Sequence, residues 1–207
     1  MIRFFKKRSQ HQVKNSTSYN RYPEIFKATK DYFTEKGKNE ITLLSYGCST
    51  GEECFSLREY FPQAKIVGLD IDLKNIETAN SRNSDPNTTF LESHAKNLRK
   101  SGPFDLIFCM SVFCRWPDSQ NVDDITGLYP FSKFEEGLAE LDSNLSVGGL
   151  LVLYNTSFLF RESKLYAGYE VLKSPTITES GFVHKFGKNN IKLMNQLYDE
   201  CIFIKKQ

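Results

Sequence analysis

Residues 41–53, Ile41-Thr42-Leu43-Leu44-Ser45-Tyr46-Gly47-Cys48-Ser49-Thr50-Gly51-Glu52-Glu53, contain the transition that organises the chain. Ile41 to Tyr46 is a short apolar run without polar alternation, the pattern of a strand buried on both faces. Gly47 breaks it. Gly47 to Gly51 is a small-residue turn, and Glu52 to Phe61 reads as a helix stopped at Pro62. Strand, glycine-bounded turn and helix in that order predict the first unit of an α/β fold.

Working outward, Lys65 to Leu69 reads as a second strand ending in Asp70-Ile71-Asp72, and a helix runs from Leu73 to about Asn80. Ser81 to Asn87 is polar and turn-rich. Thr88 to Leu91 is a weak third strand, and Phe104 to Met110 is the clearest buried strand. Apolar residues at helical spacing predict a helix over Phe131 to Leu145, ended by Val147-Gly148-Gly149 and followed by a strand over Leu150 to Tyr154. Tyr169 to Leu172, Gly181 to Phe186 and Cys201 to Lys205 are candidate strands, with a short helix over Ile191 to Tyr198. Upstream, Tyr22 to Lys36 reads as a helix that opens at Pro23, shows Ile25, Phe26, Thr29, Tyr32 and Phe33 on one face, and ends at Gly37. Strands that are apolar throughout, alternating with helices, predict a mostly parallel sheet covered on both faces, a Rossmann-like α/β fold. One globular domain is expected, with residues 1–36 as an arm and helix over the ligand site and residues 37–207 as the fold proper.

Composition agrees. The 207 residues are 40% hydrophobic and 25% charged, enough for a core without disulfides. A net charge of +2 carries no message about nucleic acid, and none is expected as a partner. Only the first fourteen residues are biased, with Arg3, Lys6, Lys7, Arg8 and Lys14 and no acid. A solvated terminus is favoured there over a nucleic-acid or membrane arm. No stretch approaches the roughly 18 to 20 apolar residues of a membrane span, and no signal-peptide core precedes the fold, so a cytoplasmic location is expected. The five cysteines form no C-x-x-C pair and the three histidines lack ligand spacing, so no metal is expected.

In a doubly wound sheet, ligands bind beyond the C-terminal strand ends where strand order reverses. Gly47, Cys48, Ser49 and Gly51 sit there, and small residues let backbone approach a ligand. Asp70, 23 residues after Gly47, ends the second strand, where a carboxylate accepts two hydrogen bonds from ribose hydroxyls. The loop lacks the G-x-G-x-x-G of a nicotinamide site, and no Lys follows Gly51 as in a phosphate-binding loop. Glu52 and Glu53 would repel a pyrophosphate. They suit a cationic, phosphate-free ligand, and S-adenosylmethionine carries a sulfonium and an ammonium. Taken alone, both acids also read as helix-start residues complementing the dipole. Asp72 reads as the cap of the helix from Leu73.

Gly47 to Glu53, G-C-S-T-G-E-E, resembles the signature of the CheR-type chemotaxis receptor glutamate methyltransferases, a branch of the class I S-adenosylmethionine-dependent methyltransferases. Asn15 to Phe26 is similar to that family's N-x-T-S-F-F-R-x-P-x-x-F stretch, Asp70-Ile71-Asp72 to its D-I-D, Asn97-Leu98 to its N-L, Phe104 to Cys109 to its F-D-x-I-F-C, and Leu145 to Leu151 to its L-x-P-G-G-x-L. The resemblance implies a class I methyltransferase sandwich with S-adenosyl-L-methionine as cofactor. It implies that Thr17 and Arg21 meet the donor's amino-acid end, Arg21 through the carboxylate, and that Glu53 meets the amino group. Asp70, with Ile71 beside it, holds the ribose; Asn97 and Leu98 frame the adenine; Ser111 and Val112 line the wall near the methyl. The chain departs from the family at Met110-Ser111, at Arg115 where the family has tyrosine, and at Tyr154 to Ser157, which lack a glutamate. The family's receptor-binding domains are not expected in this length.

Methyl transfer depends mainly on alignment, which supplies on the order of 7–11 kcal/mol. A carboxylate acceptor needs no base, whereas an amine, phenol or hydroxyl profits from one. Asp118, Tyr154 and His184 are candidate bases, but Asp118 reads equally as a turn residue and His184 as a half-buried strand residue. No catalytic residue is assigned. Arg115 fits an acidic substrate, and Trp116 fits a pocket wall or the core. Cys109 and Cys114 read as small apolar fillers. An active methyltransferase on a small molecule or protein side chain is expected; a catalytically silent donor-binding regulator is the alternative.

Overall fold

A computed structural model describes residues 11–12, 17–194 and 197–206. The basic stretch Arg3, Lys6, Lys7, Arg8 and Lys14, and Asn15-Ser16 of the resemblance, lie outside the described residues.

Twelve regular elements follow in chain order: α1 (Pro23–Glu35), β1 (Thr42–Tyr46), α2 (Glu52–Tyr60), β2 (Lys65–Asp70), α3 (Leu73–Arg82), β3 (Thr88–Glu92), α4 (Ala95–Ser101), β4 (Phe104–Met110), α5 (Phe131–Asp142), β5 (Leu145–Tyr154), β6 (Tyr169–Val171) and β7 (Ile202–Lys205). The seven strands form one sheet in the order β3-β2-β1-β4-β5-β7-β6. The first five run parallel, and β7 is antiparallel to both its neighbours. Strand order reverses between β1 and β4, where such sheets open a crevice.

Successive side chains of β4 alternate between two cores. Leu106 and Phe108 enter one with Leu43 and Ile66 from the sheet and Ile25, Phe26 and Phe33 from α1. Ile107 and Cys109 enter the other with Leu44, Val67 and Leu151, under Phe134, Leu138 and Leu141 of α5. Both faces are therefore covered. Helix α1 docks as its apolar face predicts: the Phe26 ring lies 5.5 Å from that of Phe108, and the Tyr32 hydroxyl donates to the Gly148 carbonyl at 2.8 Å.

Several boundaries differ from the sequence reading. Helix α5 ends at Asp142 and β5 begins at Leu145, because Leu145 pairs with Phe104 and the Asn144 carbonyl accepts from the Phe104 N–H at 2.8 Å. The helical spacing of Leu145 conceals that ladder. Helix α4 was not foreseen; its only buried residue is Leu98, so it shows no periodicity. Gly181 to Phe186 is irregular, since Gly181 adopts φ +106° and the Phe182 N–H goes to the Asn155 side chain instead of a strand. Ile191 and Lys192 form isolated β-bridges to Asp124 and Phe186 where a helix was expected, while residues 195–196 lie outside the described set. No helix among the described residues is long and apolar enough to cross a membrane.

Candidate functional site

A cavity of about 470 Å³ opens beyond the C-terminal ends of β1, β2 and β4, within the size range of small-molecule sites. Its first wall is the β1–α2 turn. The Gly47 and Cys48 N–H groups donate to the Leu69 carbonyl at 2.7 and 3.0 Å, folding the turn onto the end of β2. Gly47 adopts φ +79°, and a Cβ there would come within 2.5 Å of Val112 Cγ2. Only glycine allows both. Ser49 follows in the left-handed region at φ +53°, which aims its N–H at Asp70.

Asp70 is buried and does more than wait for a ligand. Oδ2 accepts from the Ser49 N–H at 2.8 Å, and Oδ1 from the Asp72 N–H at 2.8 Å and Asn75 Nδ2 at 3.2 Å. Three of a carboxylate's roughly four acceptor positions are thereby used, so Asp70 braces the turn as well as lining the cavity. Asp72 caps α3 through the Lys74 N–H at 3.0 Å, as expected.

The two acids at the start of α2 separate. Glu52 turns outward to Arg82 at 2.5 Å and Thr50 at 2.7 Å, the structural role. Glu53 lines the cavity and accepts from the Ser45 hydroxyl at 2.7 Å. Burial pushes its carboxyl up to about 7, against the Ser45 hydrogen bond and the positive charge of Arg21. Arg21 and Glu53 thus present opposite charges within electrostatic reach of one another, a match for a zwitterionic amino-acid group. Ser45, which holds Glu53, has no signal in sequence: it is one small residue inside an apolar strand.

Thr17 and Arg21 bring the arm to the cavity. Asn20 fixes the arm to α2, its N–H donating to Ser56 Oγ at 2.7 Å and its Oδ1 accepting from the Tyr60 hydroxyl at 2.9 Å. Tyr22 packs on Tyr154 with ring centroids 4.7 Å apart. Asn155, fully buried at φ +55°, ties this region together. Its Nδ2 donates to the Tyr22 hydroxyl and to Ser111 Oγ, both at 2.9 Å, and its Oδ1 accepts from the Phe182 N–H at 2.9 Å.

Of the residues expected to hold the donor, Thr17, Arg21, Gly47, Cys48, Ser49, Glu53, Asp70, Ile71, Leu98, Ser111 and Val112 line the cavity. Gly51 does not; it starts α2 at φ +96°, where a Cβ would meet Phe55 at 2.9 Å. Nor does Asn97, whose Nδ2 donates to the Glu92 carbonyl at 2.9 Å while the neighbouring His94 and Ala95 face the cavity. The candidate bases lie off it: Asp118 and His184 are exposed, His184 in an irregular segment and not the half-buried strand expected, and Tyr154 stacks behind Tyr22. Trp116 packs edge-on against Phe182. Cys109 and Cys114 are buried, and burial pushes both thiols up, Cys114 to about 11, as fits inert fillers. Sequence reasoning missed His11, which reaches the β4 side of the cavity from more than 100 positions away in sequence: its Nδ1 lies 2.6 Å from the Tyr129 hydroxyl.

Residues 43–127, spanning β1 to the loop after β4, match the family model described as a methyltransferase domain. The chain has the Rossmann-like fold of methyltransferases, and its matched stretch is similar to a methyltransferase domain. The chain is 26% identical over 194 residues to malonyl-[acyl-carrier protein] O-methyltransferase 1 of Ilyobacter polytropus, covering 87% of the chain and 72% of the relative. It is 29% identical over 111 residues to trans-aconitate 2-methyltransferase of Deinococcus radiodurans, covering 54% of the chain and 36% of that relative. The crystal structure of WbdD shares the fold with a TM-score of 0.52 at 16% identity, over 95% of the chain and 44% of that protein. The chain thus spans less than half the length of the second and third. The cavity's donor set (Arg21 beside Glu53, Asp70 at the end of β2, a glycine that no Cβ could replace) fits S-adenosylmethionine chemically.

Proposed function

We propose that the domain O-methylates a small-molecule carboxylate. The observation that carries this is that Asp118, Tyr154 and His184, the candidate bases, all lie off the cavity. Burial, with the positive charges of Lys133 and Arg115, holds His11 down at about 3, so it is too weak a base to take a proton from an amine or phenol. A carboxylate acceptor dispenses with a base, and two relatives are named for carboxylate substrates. The CheR-type resemblance belongs to the same chemistry, with a glutamate carboxylate as acceptor.

When bound, S-adenosylmethionine supplies a methyl group on a sulfonium, and a carboxylate oxygen takes it as the carbon–sulfur bond breaks, giving a methyl ester and a thioether without proton transfer. The chain's part is binding and exclusion of water. In this reading Arg21 meets the donor's carboxylate, Glu53 its ammonium, Asp70 with Ile71 the ribose and Leu98 the adenine. Ser111 and Val112 wall the reacting end, and within the arm of residues 1–36 it is the described residues 17–36 that cover the donor, over the fold of residues 37–207.

The test is label transfer from methyl-labelled donor to a panel of di- and tricarboxylates, malonyl thioester and trans-aconitate included, followed by alkaline hydrolysis. Label released as methanol from a small-molecule product is expected. Label that survives alkali, or that sits only on protein, would overturn the reading.

A further inference from the structure

We infer that the Tyr22 and Ser111 hydroxyls, set as a pair of donors by the buried amide of Asn155, clasp the carboxylate of the methyl acceptor, one oxygen each. This rests on the carboxyl-methylation reading above and names the residues that select for it.

One backbone group fixes the direction of every bond in this network. The Phe182 N–H can only donate, so the Asn155 side-chain atom that takes it at 2.9 Å is the amide oxygen. The amide nitrogen is then the atom 2.9 Å from both the Tyr22 hydroxyl and Ser111 Oγ. Its two hydrogens go one to each hydroxyl, and an amide nitrogen accepts nothing in return. Both hydroxyls therefore accept from Asn155 and keep their own hydrogens to donate. Among the described residues neither has another hydrogen-bond partner, and Tyr22 and Ser111 both line the cavity.

The fold holds that amide firmly. Asn155 is fully buried at φ +55°, and its N–H donates to the Ser180 carbonyl at 3.0 Å. A Cβ on Gly181 would lie 2.1 Å from Asn155 Oδ1, so glycine is what lets the segment reach it with the Phe182 N–H. Ser111 also sits in the left-handed region, at φ +60°, with its N–H on the Tyr154 carbonyl at 2.8 Å. Two non-glycine residues in that region are costly, and the surrounding bonds hold both at the cavity. The hydrogens of a planar amide diverge by about 120°, which sets the two hydroxyl oxygens about 5 Å apart. A carboxylate spans that gap with one oxygen on each O–H at about 2.7 Å. An amine or alcohol would bring hydrogens of its own to a pair of donors. Neutral hydroxyls also orient the anion without a fixed opposite charge, so the neutral ester leaves without breaking an ion pair. Since Ser111 walls the reacting end in the reading above, the clasped carboxylate lies beside the methyl group. Asn155 touches neither ligand and is a positioning residue.

The test is calorimetric titration of the di- and tricarboxylate panel, and of the matching neutral amides, into protein saturated with S-adenosylhomocysteine. Wild type should bind a carboxylate and not its amide. Tyr22→Phe and Ser111→Ala should each weaken that binding about ten- to hundredfold, while Tyr22→Phe keeps its affinity for S-adenosylhomocysteine. Asn155→Asp keeps the Phe182 bond but offers the hydroxyls an acceptor, so both turn away from the cavity and carboxylate binding should be lost. A thermal melt checks each variant, with Ser111→Gly as the replacement if Ser111→Ala fails to fold. Unchanged carboxylate affinity in both single variants, or no carboxylate binding by wild type, would overturn the clasp. So would a Tyr22→Phe protein that loses S-adenosylhomocysteine and keeps the carboxylate, since the hydroxyl would then serve the donor. Alkali-labile methyl transfer at wild-type rate in both variants would overturn the clasp and leave carboxyl methylation standing. Hydroxyl-dependent carboxylate binding without alkali-labile transfer would uphold the clasp and sink carboxyl methylation.

Discussion

At the scale of single residues, the two cavity acids answer to different physics. Glu53, lifted to about 7 mainly by burial, is half-ionised near neutrality, so affinity for a cationic donor should rise as pH goes from about 6 to 7.5. The donor's own amine, near 8, discharges from about pH 7 upward and limits the rise to about pH 7.5. Glu53→Gln should flatten the rise, measured as dissociation constants by calorimetry across pH. Stability moves the other way. The folded state holds this proton more tightly than the unfolded chain, so the contribution is full below about 4.5 and is lost as pH rises through about 7. Asp70 instead works as a brace. Asp70→Ala strands the Ser49 and Asp72 N–H groups, at about 1.5–3 kcal/mol each for bonds to a charged acceptor. Scanning calorimetry should show a drop in Tm of at least about 6 °C, alongside the loss of donor affinity. A variant that loses affinity with an unchanged Tm would refute the brace.

At the scale of elements, Asn155 joins α1, the loop after β4 and the segment at Phe182 through three side-chain bonds. Asn155→Ala removes all three and places alanine at φ +55°, for a combined cost of about 3 kcal/mol. A Tm lower by about 6–12 °C and faster proteolysis around Phe182 are expected, while Asn155→Gly should recover the backbone part only. The elements themselves were largely legible. The five parallel strands, α1 and the turn at Gly47 follow from apolar runs and glycine positions, because those patterns report burial on both faces. Helix α4 was not, since one buried leucine in seven residues carries no period. The start of β5 was hidden because Leu145 satisfies helical spacing and strand pairing alike.

At the scale of the whole molecule, the donor side of the site was legible because it is local: turn, strand tip and helix start are contiguous or separated by one βα unit. The far wall was not, because His11 and Tyr129, 118 positions apart, meet only through the folded topology. Distance in sequence also hides Lys185, buried with its ammonium donating to the Thr156 and Ser180 carbonyls at 2.7 and 3.4 Å. Burial pulls it down from 10.5 to about 8, so the unfolded chain binds this proton more tightly than the folded one. Global stability should therefore climb as pH rises from about 8 to 10.5, and Lys185→Met should flatten that climb in urea melts taken at several pH values. The N-terminal segment carries a further consequence, since Thr17, Arg21 and, a few residues earlier, His11 all line the same cavity. A guest that touches these neighbouring positions cannot be seated without prejudice to the next. Any change that a bound donor makes in the acceptor's affinity must be returned by the same factor, which calorimetric titration of each with and without the other would read.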